Sequence, residues 1–99
     1  MIRGTTPTLE FTLPFDTLLL AEAWVTLSQN GSEVVNKTLE DCSCEGRKLT
    51  VRLTQEDTLK LRSDINTEIQ IRARTHEGDA LASNIITAST NRILKDGVI

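Results

Sequence analysis

The sequence predicts an all-β fold, an antiparallel β-sandwich of six to seven strands with an immunoglobulin-like architecture. Three observations predict this class. Apolar and polar residues alternate with a period of two along several short segments, as in strands with one buried face. These segments recur roughly every ten residues, and Gly, Asn and Asp turns separate them. The 99 residues and 38% hydrophobic content suffice for one core, so we expect residues 1–99 to form a single domain.

The first two predicted strands each bury one face. Pro14 ends the first strand, since proline cannot continue the ladder of hydrogen bonds. Phe15–Leu20 is expected to be a short irregular or helical turn before the second strand begins. The predicted inward residues are Leu9, Phe11 and Leu13 in the first strand and Ala23, Val25 and Leu27 in the second.

Asn30-Gly31 is the strongest local signal in the chain, because both residues adopt the positive φ angles that a tight hairpin turn requires. A third strand over about Glu33–Leu39 should therefore fold back on the second. Its register stays open: a two-residue turn brings Val34 to the core face, whereas a bulged turn selects Val35. Glu40–Gly46 is predicted to be a polar loop.

The second half contains two further alternating segments. The fourth strand buries Leu49, Val51 and Leu53 and ends at Thr54, a helix-capping residue with an acid three positions later. One helical turn should follow, through about Leu61. The longest β signal is Thr67–Thr75, which buries Ile69, Ile71 and Ala73.

The C-terminal part of the sequence is less regular. His76–Asp79 is predicted to be a turn, after which Ala80–Thr90 returns as a sixth strand with Leu81, Ile85 and Thr87 on its apolar face. Residues 91–99 have two alternatives, a seventh edge strand or a projecting tail.

Composition and motifs argue against catalysis, cofactors and membranes. The longest apolar run is too short to span a bilayer, and the N-terminus lacks an apolar signal core. We therefore expect a cytoplasmic protein, or one that is incorporated into a virion. No nucleotide-binding or hydrolase motif is present. Cys42 and Cys44 are expected to be free thiols, and with His76 as the only histidine they supply too few ligands for a zinc site. We therefore predict a non-enzyme with no cofactor, no metal and no small-molecule substrate.

Nucleic-acid binding is also not expected. The net charge of −3 does not favour general contact with a phosphate backbone. Arg52, Arg72 and Arg74 would have to share one sheet face, and readers of single strands also need stacking aromatics, of which this chain has only three.

Two apolar features predict a protein interface. Alternation places Trp24 opposite the buried face of its strand, where it either anchors a partner or is covered by the Phe15–Ala21 turn or the C-terminal segment. The C-terminal segment contributes further apolar residues that either complete an edge or bind a partner. They are Ile93, Leu94, Val98 and Ile99.

The chain resembles small proteins encoded in prophage regions of gut bacteria over nearly its full length. The resemblance implies a phage-related product that joins virion or tail assembly, and it carries over no functional residue. The main hypothesis is a non-enzymatic structural or adaptor protein that binds itself or another protein; the alternative is a monomeric regulatory binder or inhibitor of a host protein, acting through loops such as Glu40–Gly46. The segments that carry the resemblance are Met1–Thr8, Phe11–Asp16, Ser28–Gly31, Leu53–Thr58, Ile69–Arg72 and Ala82–Asn84.

Overall fold

A computed structural model describes all 99 residues and shows eight strands in two antiparallel sheets. This confirms the predicted all-β class. The only α-helix has five residues, and no helix is long and apolar enough to cross a bilayer. The strands are β1 (Thr8–Thr12), β2 (Leu20–Gln29), β3 (Ser32–Thr38), β4 (Cys42–Glu45), β5 (Lys48–Arg52), β6 (Thr67–Thr75), β7 (Ala80–Ala82) and β8 (Ile86–Ala88), with α1 at Gln55–Leu59 and 3-10 turns at Thr17–Leu19 and Leu39–Asp41.

The two sheets share one hydrophobic core. The smaller sheet has the strand order β1-β5-β4, and the larger has β3-β2-β6, with β7 and β8 both paired to the far edge of β6. The chain crosses between the sheets after β1, β3 and β5. The core residues are Phe11, Leu13, Leu20, Ala23, Val25, Leu27, Val35, Leu49, Val51, Leu53, Leu61, Ile69, Ile71 and Ala73.

The β2–β3 hairpin resolves the open register in favour of a bulge. Asn30 and Gly31 both have positive φ, 50° and 77°, so the turn itself is the expected two-residue type. The register then shifts beyond Ser28, and Leu27 pairs with Val35. Val35 is buried and Val34 only partly so, because the extra residue reverses which side chain faces the core.

The predicted polar loop Glu40–Gly46 is largely ordered structure. A 3-10 turn ends at Asp41, and β4 then pairs with β5 through Cys42–Glu45. The prediction missed β4 because it is an edge strand whose side chains are mostly exposed, so its sequence carries no apolar alternation.

The predicted sixth strand Ala80–Thr90 is two strands, β7 and β8, joined through Ser83. The Ser83 hydroxyl accepts the Ile71 N–H at 3.1 Å and so takes the place of a ladder carbonyl. The register along β6 differs by one residue between β7 and β8, which moves Ile85 to the surface, where it is exposed. The predicted apolar face holds only at Leu81, which is half-buried; Thr87 is exposed.

The helical turn α1 connects the sheets and has the predicted cap. The Thr54 hydroxyl accepts the Asp57 N–H at 3.0 Å, and the Asp57 carboxylate accepts the Thr54 N–H at 2.8 Å. Asp57 also accepts from Lys37 of β3 at 2.7 Å, and both side chains are largely buried. One ion pair thus ties the edge of the larger sheet to the end of the smaller.

The N-terminal segment is bound to the far end of the chain. Ile2 forms an isolated parallel bridge with Asn91. The Arg3 guanidinium donates to the carbonyls of Leu59 and Leu61, at 2.9 and 2.7 Å. These contacts hold residues 1–5 against α1 and the start of the C-terminal segment.

Candidate interaction surface

Trp24 projects from the centre of the larger sheet, on the face turned away from the core. Its neighbours in sequence, Ala23 and Val25, are buried, and strand alternation therefore directs the indole outward. The side chain remains 46% exposed. It is covered neither by the 3-10 turn that precedes β2 nor by the C-terminal segment.

The residues around Trp24 are small or charged. In the strand register it lies between Thr38 of β3 and Arg72 of β6, and Arg72 in turn lies opposite Ala82. Two register positions away, on the same face of the sheet, Arg74 donates to Glu22 at 3.1 Å. Arg72 itself makes no ion pair and no side-chain hydrogen bond, so a cation beside the indole is free to contact a partner.

Trp24 stands between two shallow depressions. The first, of about 450 Å³, lies toward β3 and the 3-10 turn that contains Leu39 and Glu40. The second, of about 250 Å³, lies toward β6 and is bounded by Arg74 and Ala80. A large aromatic side chain flanked by hollows is a shape that a partner surface can enclose on both sides.

The C-terminal segment forms a separate surface. Residues 92–99 contain no strand, and they turn back so that the Ile99 N–H donates to the Gln55 side chain at 2.8 Å and Asp96 pairs with Arg3 at 3.8 Å. Leu94 is 94% exposed, and Val98 and Ile99 are exposed as well. Ile93 is partly buried, and its terminal methyl lies about 3.0 Å from where a side chain at Gly4 would begin.

The structure thus divides the predicted interface into two parts. The Trp24 face belongs to β2, β3 and β6, whereas Leu94 and its neighbours lie beside α1 and the N-terminal segment. No hydrogen bond or ion pair joins them, and the depressions beside Trp24 include no residue after Ala80.

A third apolar surface was not predicted from the sequence. A groove of about 360 Å³ lies between the first 3-10 turn and the β6–β7 turn, with Pro14, Phe15, Leu19 and Leu81 along it. Leu18 next to it is 83% exposed. The available signal was the run Leu18–Leu20, in which three consecutive leucines cannot all face the core; the structure buries Leu20 and leaves Leu18 and Leu19 exposed.

The three arginines that a nucleic-acid face would require do not lie on one sheet. Arg52 lies on β5 in the smaller sheet and donates to Thr6 at 3.2 Å, whereas Arg72 and Arg74 lie on β6 in the larger sheet.

Cys42 and Cys44 are free thiols on the edge strand β4. Partial burial raises the pKa of Cys42 to about 11, and the neighbouring Cys44 and Asp41 add to the rise, against a smaller opposite effect of Lys37. Cys42 is therefore a protonated thiol at neutral pH, with little nucleophilic thiolate. No group of three or more His, Cys, Asp or Glu residues is placed to hold a metal ion.

Comparison with protein families, curated proteins and solved structures finds no match to this chain. The resemblance to prophage-encoded proteins stays a prediction.

Proposed function

We propose that this chain is a non-enzymatic structural or adaptor protein, of phage-related origin, that acts through protein–protein contacts. The observation that carries the proposal is the position of Trp24, a large aromatic side chain left half exposed at the centre of an ordered sheet. Tryptophan is the residue most enriched at the energetic centres of protein interfaces. Leaving it in water forgoes roughly 1 kcal/mol or more of burial energy, which a partner would recover.

The surroundings of Trp24 favour a protein partner over a small ligand. The depressions on either side are open and shallow, and apart from Trp24 and Leu39 they are lined by alanine, threonine and charged side chains. An unpaired Arg72 beside the indole adds the second residue type that interface centres favour. A flat, mixed surface of this kind suits a partner of comparable size.

We also propose that the two sheets form an immunoglobulin-like sandwich. In such domains one sheet contains strands B, E and D and the other contains C′, C, F and G. The order β1-β5-β4 corresponds to the first, and β3-β2-β6 followed by β7 and β8 corresponds to the second. The parallel bridge between Ile2 and Asn91 would add a short N-terminal segment beside the last strand.

One departure from that architecture bears on function. Immunoglobulin domains bury a tryptophan of strand C against a disulfide between the sheets. Here the corresponding strand is β2, but its register turns Trp24 outward, and both cysteines lie on β4. The tryptophan thus serves the surface rather than the core.

The proposal is tested by measuring the absolute mass of the protein by light scattering over a range of concentrations, together with capture of partner proteins. Wild-type protein is expected either to exceed its 11.0 kDa monomer mass or to retain a partner protein. Trp24→Ala should lower the affinity of the observed association at least tenfold, which corresponds to about 1.4 kcal/mol. Ile86→Ala is the control, since Ile86 is 53% exposed on the edge strand β8.

Unchanged mass and unchanged partners in Trp24→Ala would contradict the proposed surface. A strict monomer that captures a host protein independently of Trp24 would instead favour the regulatory binder.

A further inference from the structure

We propose that copies of this chain associate head to tail, with the exposed bend at residues 94–95 (the Leu94 bend) of one copy inserted into the apolar groove of the next. The groove is the one bounded by Phe15, Leu19 and Leu81. This inference goes beyond the proposed Trp24 surface: the partner is a second copy of the chain, and the contact joins two different surfaces, neither of which includes Trp24.

The Leu94 bend is exposed but held in place. Ile93 packs toward Gly4 on one side of it, and Asp96 pairs with Arg3 on the other. Both the N–H and the carbonyl of Ile99 are bonded to the Gln55 side chain, at 2.8 and 3.0 Å. An apolar side chain that is 94% exposed on an anchored bend loses little conformational freedom when a partner encloses it.

The groove has the size and lining that such a side chain requires. Its volume of about 360 Å³ exceeds that of a leucine side chain, leaving room for the flanking backbone. Phe15 and Leu81 are partly buried at its base, and Leu19 stands half exposed at its edge. Enclosing Leu94 there would remove apolar surface of both copies from water.

The charges around the two surfaces are complementary. Glu77 and Asp79 line the groove, are exposed and form no ion pair, and no lysine or arginine lines it. Arg92 and Lys95 flank Leu94, are exposed and form no ion pair either. Two unpaired carboxylates therefore face two unpaired cations when Leu94 enters the groove, which favours this orientation over others.

The two surfaces lie at opposite ends of the molecule. β2 begins at Leu20, which pairs with Thr75 beside the groove, and ends at Gln29, which bonds Thr67 at 3.1 Å. Thr67 in turn bonds Thr90 at 2.7 Å, and the C-terminal segment begins one residue later. The molecule extends 46 Å along its longest axis. A repeated contact between opposite ends builds a ring when it closes and a filament when it does not.

A charge exchange tests the contact. Glu77→Lys/Asp79→Lys reverses the groove, and Arg92→Glu/Lys95→Glu reverses the bend. Each variant alone should remain at 11.0 kDa by light scattering at concentrations where the wild type is larger. Mixed in equal amounts, the two should associate again into assemblies larger than 11.0 kDa, because the bend of each variant then carries the charge opposite to that of the other's groove. This restored association also shows that both variants are folded.

Leu94→Asp provides a second test, with Ile86→Asp as its matched control. Leu94→Asp should lower association at least tenfold, and Ile86→Asp should not. Association of either charge variant alone at wild-type strength, or a wild-type chain that is monomeric at every concentration, would overturn the head-to-tail contact. Partner capture that still depends on Trp24 would in that case leave the proposed function standing.

Discussion

At the scale of single residues, Asp57 joins the two sheets. Burial raises the pKa of its carboxyl, but hydrogen bonds from Lys37 and from the main chain and hydroxyl of Thr54, together with the Lys37 charge, outweigh burial and leave the pKa below its ordinary value. The ionised form is therefore the one that stabilises the fold. Lys37 lies on an edge strand and points inward, which also disfavours pairing of that edge with other chains.

Asp57→Asn should lower the free energy of unfolding by about 2 kcal/mol at pH 7, between the small value of an exposed ion pair and the larger value of a fully buried one. Urea denaturation measures it. Asp64→Asn is the control, because its pair with Arg62 is exposed on both sides, and its loss should cost less than about 1 kcal/mol. Equal effects of the two substitutions would show that the ion pair with Lys37 stabilises the fold no more than an exposed ion pair does.

The same carboxyl makes stability depend on pH. Because its pKa is lower in the folded chain than in the unfolded chain, where it lies near 3.9, the stabilisation is complete above about pH 5 and is lost as the pH falls through the folded value. Wild-type protein should therefore lose more stability between pH 5 and pH 3 than Asp57→Asn does. Parallel curves for the two proteins would contradict this account.

The sequence predicted the direction of Trp24 but not its exposure. Alternation in β2 is enough to turn the indole outward. Whether it is covered depends on distant residues, and beside Arg72 the structure places the small side chains of Ala80 and Ala82. No local pattern in the sequence contains that information.

At the scale of elements, the β2–β3 turn depends on Gly31. Gly31→Ala should destabilise the protein by about 1 to 2 kcal/mol, because its φ of 77° is disfavoured for a residue with a side chain. No atom lies within 4 Å of the added methyl, so the cost is conformational alone. Thermal or urea unfolding measures it. Gly31→Asn should cost less, since asparagine tolerates this conformation; an equal cost would mean that the angle is not what limits stability.

Strands with one buried and one exposed face could be predicted from the sequence. Strands whose extent depends on contacts with neighbouring strands could not. Thr67–Thr75 was predicted with its observed bounds because it lies at the centre of a sheet with one buried face. The break at Ser83 depends on a hydroxyl that accepts from Ile71 across the ladder. β4 was missed because its pairing with β5 leaves no apolar pattern in its own residues.

At the scale of the whole molecule, the core and the surface have separate roles. The shared core holds the sheets together, and the outer face of the larger sheet and the two ends remain available for contacts. Of the residues predicted to form an interface, Trp24, Leu94, Val98 and Ile99 are exposed, whereas Ile93 packs partly inward. Their division into separate surfaces, and the groove opposite Leu94, follow only from the tertiary arrangement.

The most direct test of the central claim is the fluorescence of Trp24, the single tryptophan in a chain without tyrosine. Emission and quenching by iodide are measured at a fixed protein concentration as a captured partner protein is added. We expect the emission to move to shorter wavelength and quenching to fall at least twofold as the complex forms, because the half-exposed indole leaves water. Emission and quenching that stay constant while light scattering shows the complex forming would contradict the claim that Trp24 lies in the interface.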